Sequence, residues 1–185
     1  MEWGFIYLPH SLGINPMFTI TQLTATYPDP FFKKPNKDYF AYFEDMQRFT
    51  KTYLDQTILT QNSGYTFLEL LEMMMRDNEK LLPLLQQADM IVFTHTSYEY
   101  DSHYSHVGPI LAEKYHLKAD MLDVIEEGDL SFTTAQHIIS AYFSQSKIKH
   151  AVIIAFQQRA LPLRYVENIK LPECNSVKLF FWDGE

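Results

Sequence analysis

Apolar and polar residues follow one another in patterns that predict alternating strands and helices. Near-continuous or short apolar runs predict strands at about 3–8, 89–94, 121–125 and 150–156. Apolar residues recurring at three- and four-residue spacing predict helices at about 36–57, 66–87, 105–115 and 130–146. Within the 66–87 pattern, Pro83 is expected to bend the helix or to open a second short helix. Residues 11–36 are rich in proline and threonine and are expected to form an irregular excursion.

The stretch from Met121 to Gln157 organises the rest of the chain. A short strand runs into a tight turn at Gly128 and Asp129, a helix follows, and a strand with a near-continuous apolar sequence ends the unit. Units of this kind favour a parallel sheet with a right-handed crossover. We therefore expect an α/β domain in which Asp129 follows a strand in the middle of the sheet and lies at the start of a long central helix.

The start of that helix is a candidate chemical site. Unpaired N–H groups and the positive end of the helix dipole meet there, and enzymes use such positions for thiolates and oxyanions. Here the residue is Asp129. Ser131, two positions on, is a second candidate nucleophile, although using it requires a two-residue slip against the family pattern described below. A plain N-cap is the commoner interpretation of Asp129, and an acid/base role is the alternative.

Two further groups of polar residues are candidates for chemistry. His95, His103 and His106 lie in one loop and have a spacing compatible with zinc, although polar loop histidines are far commoner. The second group is a cluster of five acids around the turn, in which mutual repulsion would raise at least one carboxyl pKa if the cluster were enclosed. It comprises Asp120, Asp123, Glu126, Glu127 and Asp129.

Length and composition narrow the class of protein. The chain has 185 residues, 46% of them hydrophobic, which suits a single globular domain over 1–185. A formal charge of −8 argues against nucleic acid as a partner. The lone cysteine excludes an internal disulfide and suits a reducing, cytoplasmic location. The sequence predicts neither a membrane span nor a secretory signal.

Several segments resemble the N-terminal half of thiolase-fold condensing enzymes, most closely the ketoacyl-ACP synthase III type. From Asp129 to Ile154 the chain follows the family pattern of turn, long helix and apolar strand, with Phe132, Ala135 and Tyr142 at similar positions. The run Asp-Met-Ile-Val-Phe-Thr-His-Thr-Ser at 89–97 resembles the preceding strand of the family. The Trp-Asp-Gly at 182–184 resembles the end of its last strand, and 4–9 resembles its first strand.

The resemblance implies a thiolase-like half: a mixed, mostly parallel sheet with helices on both faces, completed by a second copy or a complementary chain. It also places Asp129 where the family has its nucleophilic Cys, while Cys174 lies far along the chain. The catalytic His and Asn of the family belong to a second half, which would begin where this sequence ends.

The expected function is therefore a non-catalytic subunit of an acyl-thioester condensing or acyltransfer system in fatty-acid, polyketide or other secondary metabolism. Acyl carrier protein or a CoA thioester is the candidate further partner, and no cofactor is expected. Two alternatives remain open at this point. One is an acyltransferase or decarboxylase-like enzyme that uses Asp129 as acid or base with residues from a partner chain. The other is a metal-dependent hydrolase that uses the three histidines.

Overall fold

A computed structural model describes most of the chain, namely residues 2–5, 18–28, 37–54, 64–95, 99, 107–125, 130–159, 163–164 and 172–184. The strands in this part are β1 Glu2–Phe5, β2 Phe18–Tyr27, β3 Tyr53–Leu54, β4 Met90–His95, β5 Asp120–Ile125, β6 His150–Gln157, β7 Leu163–Arg164 and β8 Asn175–Gly184. The helices are α1 Lys37–Thr50, α2 Phe67–Asp77, α3 Leu81–Gln87, α4 Val107–Tyr115 and α5 Leu130–Ser144.

Six strands form one mixed sheet in the order β1-β2-β8-β6-β4-β5, and β3 and β7 form a separate two-stranded ribbon. Strand β4 pairs in parallel with both β5 and β6. Strand β8 lies antiparallel between β6 and β2, so β2, β4, β5 and β6 all run in the same direction. The predicted fold class, an α/β domain with a mixed sheet and helices on both faces, is confirmed.

Two apolar layers hold helices against the two faces of the sheet. We call the side covered by α2, α3 and α4 the first face, and the side covered by α5 the second face. Strand residues of the first face are Leu23, Ala25, Ile91, Phe93, Val152, Ile154, Phe156, Val177, Leu179 and Phe181. Strand residues of the second face are Ile20, Met90, Val92, Ala151, Ile153, Phe180 and Trp182. Because strands β4 and β6 are covered on both sides, their sequences are almost continuously apolar.

Local sequence signals explain where the second and third helices begin and end. Thr66 accepts a hydrogen bond from the backbone N–H of Glu69, whose side chain accepts one from the N–H of Thr66, which forms a complete capping box at the start of α2. The pattern predicted at 66–87 is divided into α2 and α3 around Asn78. Pro83 occupies the first turn of α3, where its missing N–H costs little, so the expectation of a second short helix is confirmed.

Three helices end in a residue with the left-handed backbone conformation that favours glycine. The residues are Lys51, His116 and Ser146, with φ angles of 56°, 55° and 53°. At the end of α5 the N–H of Lys147 donates to the carbonyl oxygen of Tyr142 at 3.2 Å, and that of Ser146 donates to Phe143 at 2.8 Å. These bonds satisfy carbonyl groups that the end of the helix leaves unpaired.

Two expectations about the strands were wrong. Residues 18–27, inside the predicted irregular excursion, form the ten-residue strand β2. Threonines favour an extended backbone, and Ile20 and Leu23 are buried on opposite faces of the sheet, so the strand lacks a simple alternating signature. Strand β5 lies at the edge of the sheet instead of its middle, and four of its six residues are exposed.

Two smaller observations complete the fold. Helix α1 ends at Thr50, earlier than the predicted 57. No helix in the described ranges combines the length and the apolar composition that crossing a lipid bilayer requires.

Candidate functional site

The path of the chain makes a topological switch point at the carboxyl ends of β4 and β5, a place where α/β folds are expected to have a crevice. After β4 the chain returns to β5 through α4, which covers the first face. After β5 it passes through α5, on the second face, to β6 on the other side of β4. Adjacent strands are thus followed by connections that leave toward opposite faces, and α/β proteins bind ligands at such topological switch points.

His95 is the last residue of β4 and lies on the first-face side of this switch point. Its side chain is only 7% exposed, and its ring packs against Phe67 at a centroid distance of 4.7 Å. Its Nε2 atom lies 3.8 Å from a carboxylate oxygen of Asp123 on β5, which is too long for a direct hydrogen bond. Burial and packing against Phe67 therefore restrict the imidazole ring.

Glu99 is a buried acid on the same side of the switch point. It is 3% exposed, and its Oε2 atom accepts a hydrogen bond of 2.7 Å from the backbone N–H of Phe67. Phe67 is the first residue of α2, so the carboxylate lies at the positive end of that helix. Sequence reasoning missed Glu99, because a single acid in a polar loop gives no periodic or motif signal.

Buried polar groups surround the start of α2. Burial of the Tyr42 hydroxyl, and secondly the negative charge of Glu99, raise the pKa of Tyr42. Gln158, at the end of β6, is 2% exposed and donates from Nε2 to the carbonyl oxygen of Tyr65 at 2.6 Å. The side chains of Gln158 and Glu99 therefore hold the backbone on either side of Thr66.

The second-face side of the switch point contains the start of α5. Ser131, the second residue of α5, is 4% exposed and belongs to the row that faces the sheet. Thr94, on β4, is also buried, at 2% exposure. Asp129 lies outside the described residues, as do Glu126 and Glu127, so the chemical role and the N-cap role of Asp129 remain predictions. The same holds for Ser131 as a nucleophile.

The other predicted groups are not assembled within the described part of the chain. Asp120 and Asp123 lie on opposite faces of β5 and are both exposed, so these two acids form no enclosed cluster. His103 and His106 lie outside the described residues, and among those described no three metal-binding side chains come together. Cys174 precedes β8, and strand β6 lies between β8 and β4.

The site thus combines a buried carboxylate at a helix start with a positioned imidazole. Both side chains are buried and contact Phe67, the first residue of α2.

The fold and this site together define a mixed α/β domain with a topological switch point. No protein family and no curated protein matches the sequence. Among solved structures, a variant of OleA from Xanthomonas campestris is similar to 54% of this chain at 11% identity, with a TM-score of 0.37. The match covers 34% of the OleA chain. A likeness at this level assigns no activity to the present chain.

Proposed function

We propose that this chain is a non-catalytic, thiolase-like subunit of an acyl-thioester condensing or acyltransfer system, in fatty-acid, polyketide or similar secondary metabolism. The resemblance between 89 and 156 supports the kinship, because those residues form the β4–α4–β5–α5–β6 unit. The missing nucleophile supports the non-catalytic role. The resemblance puts Asp129 at the family position of Cys, and a carboxylate cannot replace a thiolate in holding an acyl group as a thioester.

The observation that carries the proposal is the composition of α5. None of its fifteen residues is Asp, Glu, Lys or Arg. One row faces the sheet and is buried, whereas the opposite row, with Leu130, Thr133, His137 and Ala141, is exposed. Helices of soluble proteins normally carry charged residues on the solvent side. An uncharged outer row, with Leu130 at 62% exposure, fits a helix that a second chain covers.

Native mass spectrometry and sedimentation velocity test this assembly. The purified chain, alone and co-expressed with a thiolase-like chain that carries Cys, His and Asn, is expected to form a dimer or a heteromeric complex. Ala141→Glu places a charge in the outer row of α5 and should raise the dissociation constant at least about tenfold. Gln87→Glu, an equal charge change at the exposed end of α3, is the matched control. A chain that stays monomeric at all concentrations and with every such partner contradicts the proposal.

Asparagine at position 129 separates the non-catalytic role from the enzyme alternative. Asp129→Asn keeps an N-cap acceptor, so the unfolding free energy should change by less than about 0.5 kcal/mol, whereas Asp129→Ala should cost about 1 kcal/mol. In the assembled complex, turnover of an acyl thioester should be the same with Asp129 and with Asp129→Asn. Loss of turnover with Asp129→Asn, in a complex of normal stability, would establish an acid/base role instead.

A further inference from the structure

One titratable residue lies in the uncharged outer row of α5. The exposed residues of this row are Leu130, Thr133, His137 and Ala141. Histidine is the side chain whose charge ordinarily changes between pH 5 and pH 8, and α5 contains a single one. The residues one turn away, Thr133 and Ala141, are small and uncharged. A chain that covers the outer row therefore encloses His137 as the one group of α5 that can become charged in mild acid.

The strands beneath α5 bring no charge to the outer row. The helix packs on β4, β5 and β6 and shares its apolar layer with β2 and β8. On the second face, the described strands β2, β4 and β6 carry no titratable residue, β5 carries Asp120 and β8 carries Lys178. Both charges lie on the sheet, on the opposite side of the helix from His137. Beyond the end of α5, the Nζ atom of Lys147 lies 5.6 Å from the ring centroid of Tyr142.

The sequence places opposite charges at the two ends of α5. Glu126, Glu127 and Asp129 precede the helix, and Lys147 and Lys149 follow it. A second copy lying antiparallel on the outer row would bring the basic end of each helix to the acidic end of the other, with the two helix dipoles opposed. A parallel copy would bring like charges together. A different chain would have to carry the same arrangement, whereas a second copy supplies it by symmetry.

The outer row is also centred on His137. Seven residues of α5 lie on either side of it, and Thr133 and Ala141 lie four residues before and after it. A two-fold axis at His137 would place Thr133 of one helix beside Ala141 of the other, and such small side chains permit close approach. Leu130, which is 62% exposed, would be covered near Ser144 of the second copy. The two His137 rings would meet at the axis, because a two-fold interface brings the same residue of both copies together there.

We propose that α5 pairs antiparallel with α5 of a second copy, and that protonation of the two facing His137 side chains separates the copies. The proposal rests on the proposed function, because it names the chain that covers the outer row and the condition that uncovers it. An enclosed imidazolium without a counter-charge is unfavourable, and two facing imidazolium groups repel each other. Since pairing favours the neutral ring, the dimer is most stable above the ordinary histidine pKa of about 6.5 and weakens as the pH falls below it.

Sedimentation velocity of the purified chain over a range of concentrations, at pH 7.5 and pH 5.5 and at equal ionic strength, tests this inference. At pH 5.5 a histidine of ordinary pKa is neutral in roughly one chain in eleven, so both members of a pair are neutral in roughly one pair in 120. We therefore expect the dissociation constant of the dimer to be about 100-fold higher at pH 5.5 than at pH 7.5. The dependence on pH should approach two protons taken up per dissociated dimer, one for each His137.

Three variants assign the pH dependence to one side chain. His137→Asn removes the titrating ring and should dimerise equally at both pH values, within about twofold. His116→Asn makes the same change at an exposed residue just beyond α4 and is the matched control, which should keep the full pH dependence. His137→Lys carries a charge at both pH values and should stay monomeric at concentrations where the wild type dimerises. Circular dichroism checks folding, and His137→Gln replaces His137→Asn if asparagine unfolds the chain.

The inference is overturned by a dimer whose dissociation constant changes less than about threefold between the two pH values, since two titrating histidines require far more. Full pH dependence in His137→Asn, or a dimer of His137→Lys, also overturns it. The proposed function is read separately through Ala141→Glu. If Ala141→Glu disrupts an assembly that has no proton linkage, or an assembly with a different chain, this inference fails while the proposed function stands. A chain that is monomeric at pH 7.5, alone and with every thiolase-like partner, contradicts both.

Discussion

Removing the buried carboxylate of Glu99 should destabilise the protein by a predictable amount. In Glu99→Ala the N–H of Phe67 loses its 2.7 Å acceptor in a buried setting. An unsatisfied buried donor costs about 1–3 kcal/mol, and loss of the negative charge at the start of α2 adds about 0.5–1 kcal/mol. We therefore expect a loss of about 1.5–4 kcal/mol in unfolding free energy. Glu99→Gln keeps an acceptor without the charge and should lose about 1 kcal/mol.

Urea unfolding followed by circular dichroism measures these losses, and the dependence on urea concentration should stay unchanged because the surface exposed on unfolding is the same. Hydrogen exchange should locate the reduced protection in the first turn of α2. Glu113→Ala, which removes an exposed acid from α4, is the matched control and should have little effect. A loss below about 0.5 kcal/mol in Glu99→Ala would refute the role assigned to this hydrogen bond.

The charge of Glu99 has a second, independent readout. Burial is the first cause of the raised pKa of Tyr42, and the charge of Glu99 is the second. Glu99→Gln should therefore lower the pKa of Tyr42 part of the way toward its ordinary value of about 10. Absorbance titration of the tyrosinates, compared with a Tyr42→Phe variant, measures the change. An unchanged titration would contradict the proximity of the two side chains.

Three other predictions concern the frame of the site. Asp89 accepts hydrogen bonds from the N–H groups of residues 149 and 150, and these bonds lower the pKa of its carboxyl group. The stabilisation by Asp89 is therefore complete above the pKa of the unfolded chain, about 3.9. It is lost as the pH falls through the lower pKa of the folded protein. Unfolding free energy measured against pH should therefore fall more steeply in acid for the wild type than for Asp89→Asn, and parallel curves would contradict this. Ser146→Gly should raise stability by about 0.5–1 kcal/mol, because φ is 53° there, and a lower melting temperature would refute the expectation. The Nζ atom of Lys114 lies 2.5 Å from a carboxylate oxygen of Glu72 on the surface. A double-mutant cycle should give a coupling free energy between the two residues below about 1 kcal/mol, and salt should reduce it. A larger coupling that does not depend on salt would argue against a screened surface pair.

The parts of the fold that the sequence predicted well are those with a strong and regular pattern. Strands β4 and β6 are buried on both faces, so their continuous apolar runs are unambiguous. Helix α2 has both a capping box and a clear apolar stripe. Strand β2 was missed because its threonines give no clear periodicity, and because neighbouring prolines indicate a loop. The edge position of β5 depends on strand order, which no local pattern encodes.

The site was predicted less well than the fold. The sequence directs attention to residues with recognisable chemistry, such as His95, yet His95 packs against Phe67 and lies near Asp123. Glu99 and Gln158 act through backbone atoms near the start of α2, far away in sequence. Contacts of this kind depend on tertiary structure, since neither spacing nor composition relates the two segments. The role of Asp129 remains a prediction.

The position of β8 has a consequence for how the protein folds during synthesis. The register pairs Phe18 with Gly184 and Asn175 with Tyr27, so the first strands of the chain find their neighbour only after β8 has been synthesised. Until then, strand β2 and strand β6 each have an edge without a neighbouring strand, and such edges favour aggregation. Pairing β2 with β8 closes a loop of most of the chain, which makes this step slow. Nascent chains stalled before β8 should therefore depend on chaperones, and a cleavage that removes β8 should separate the sheet into two fragments.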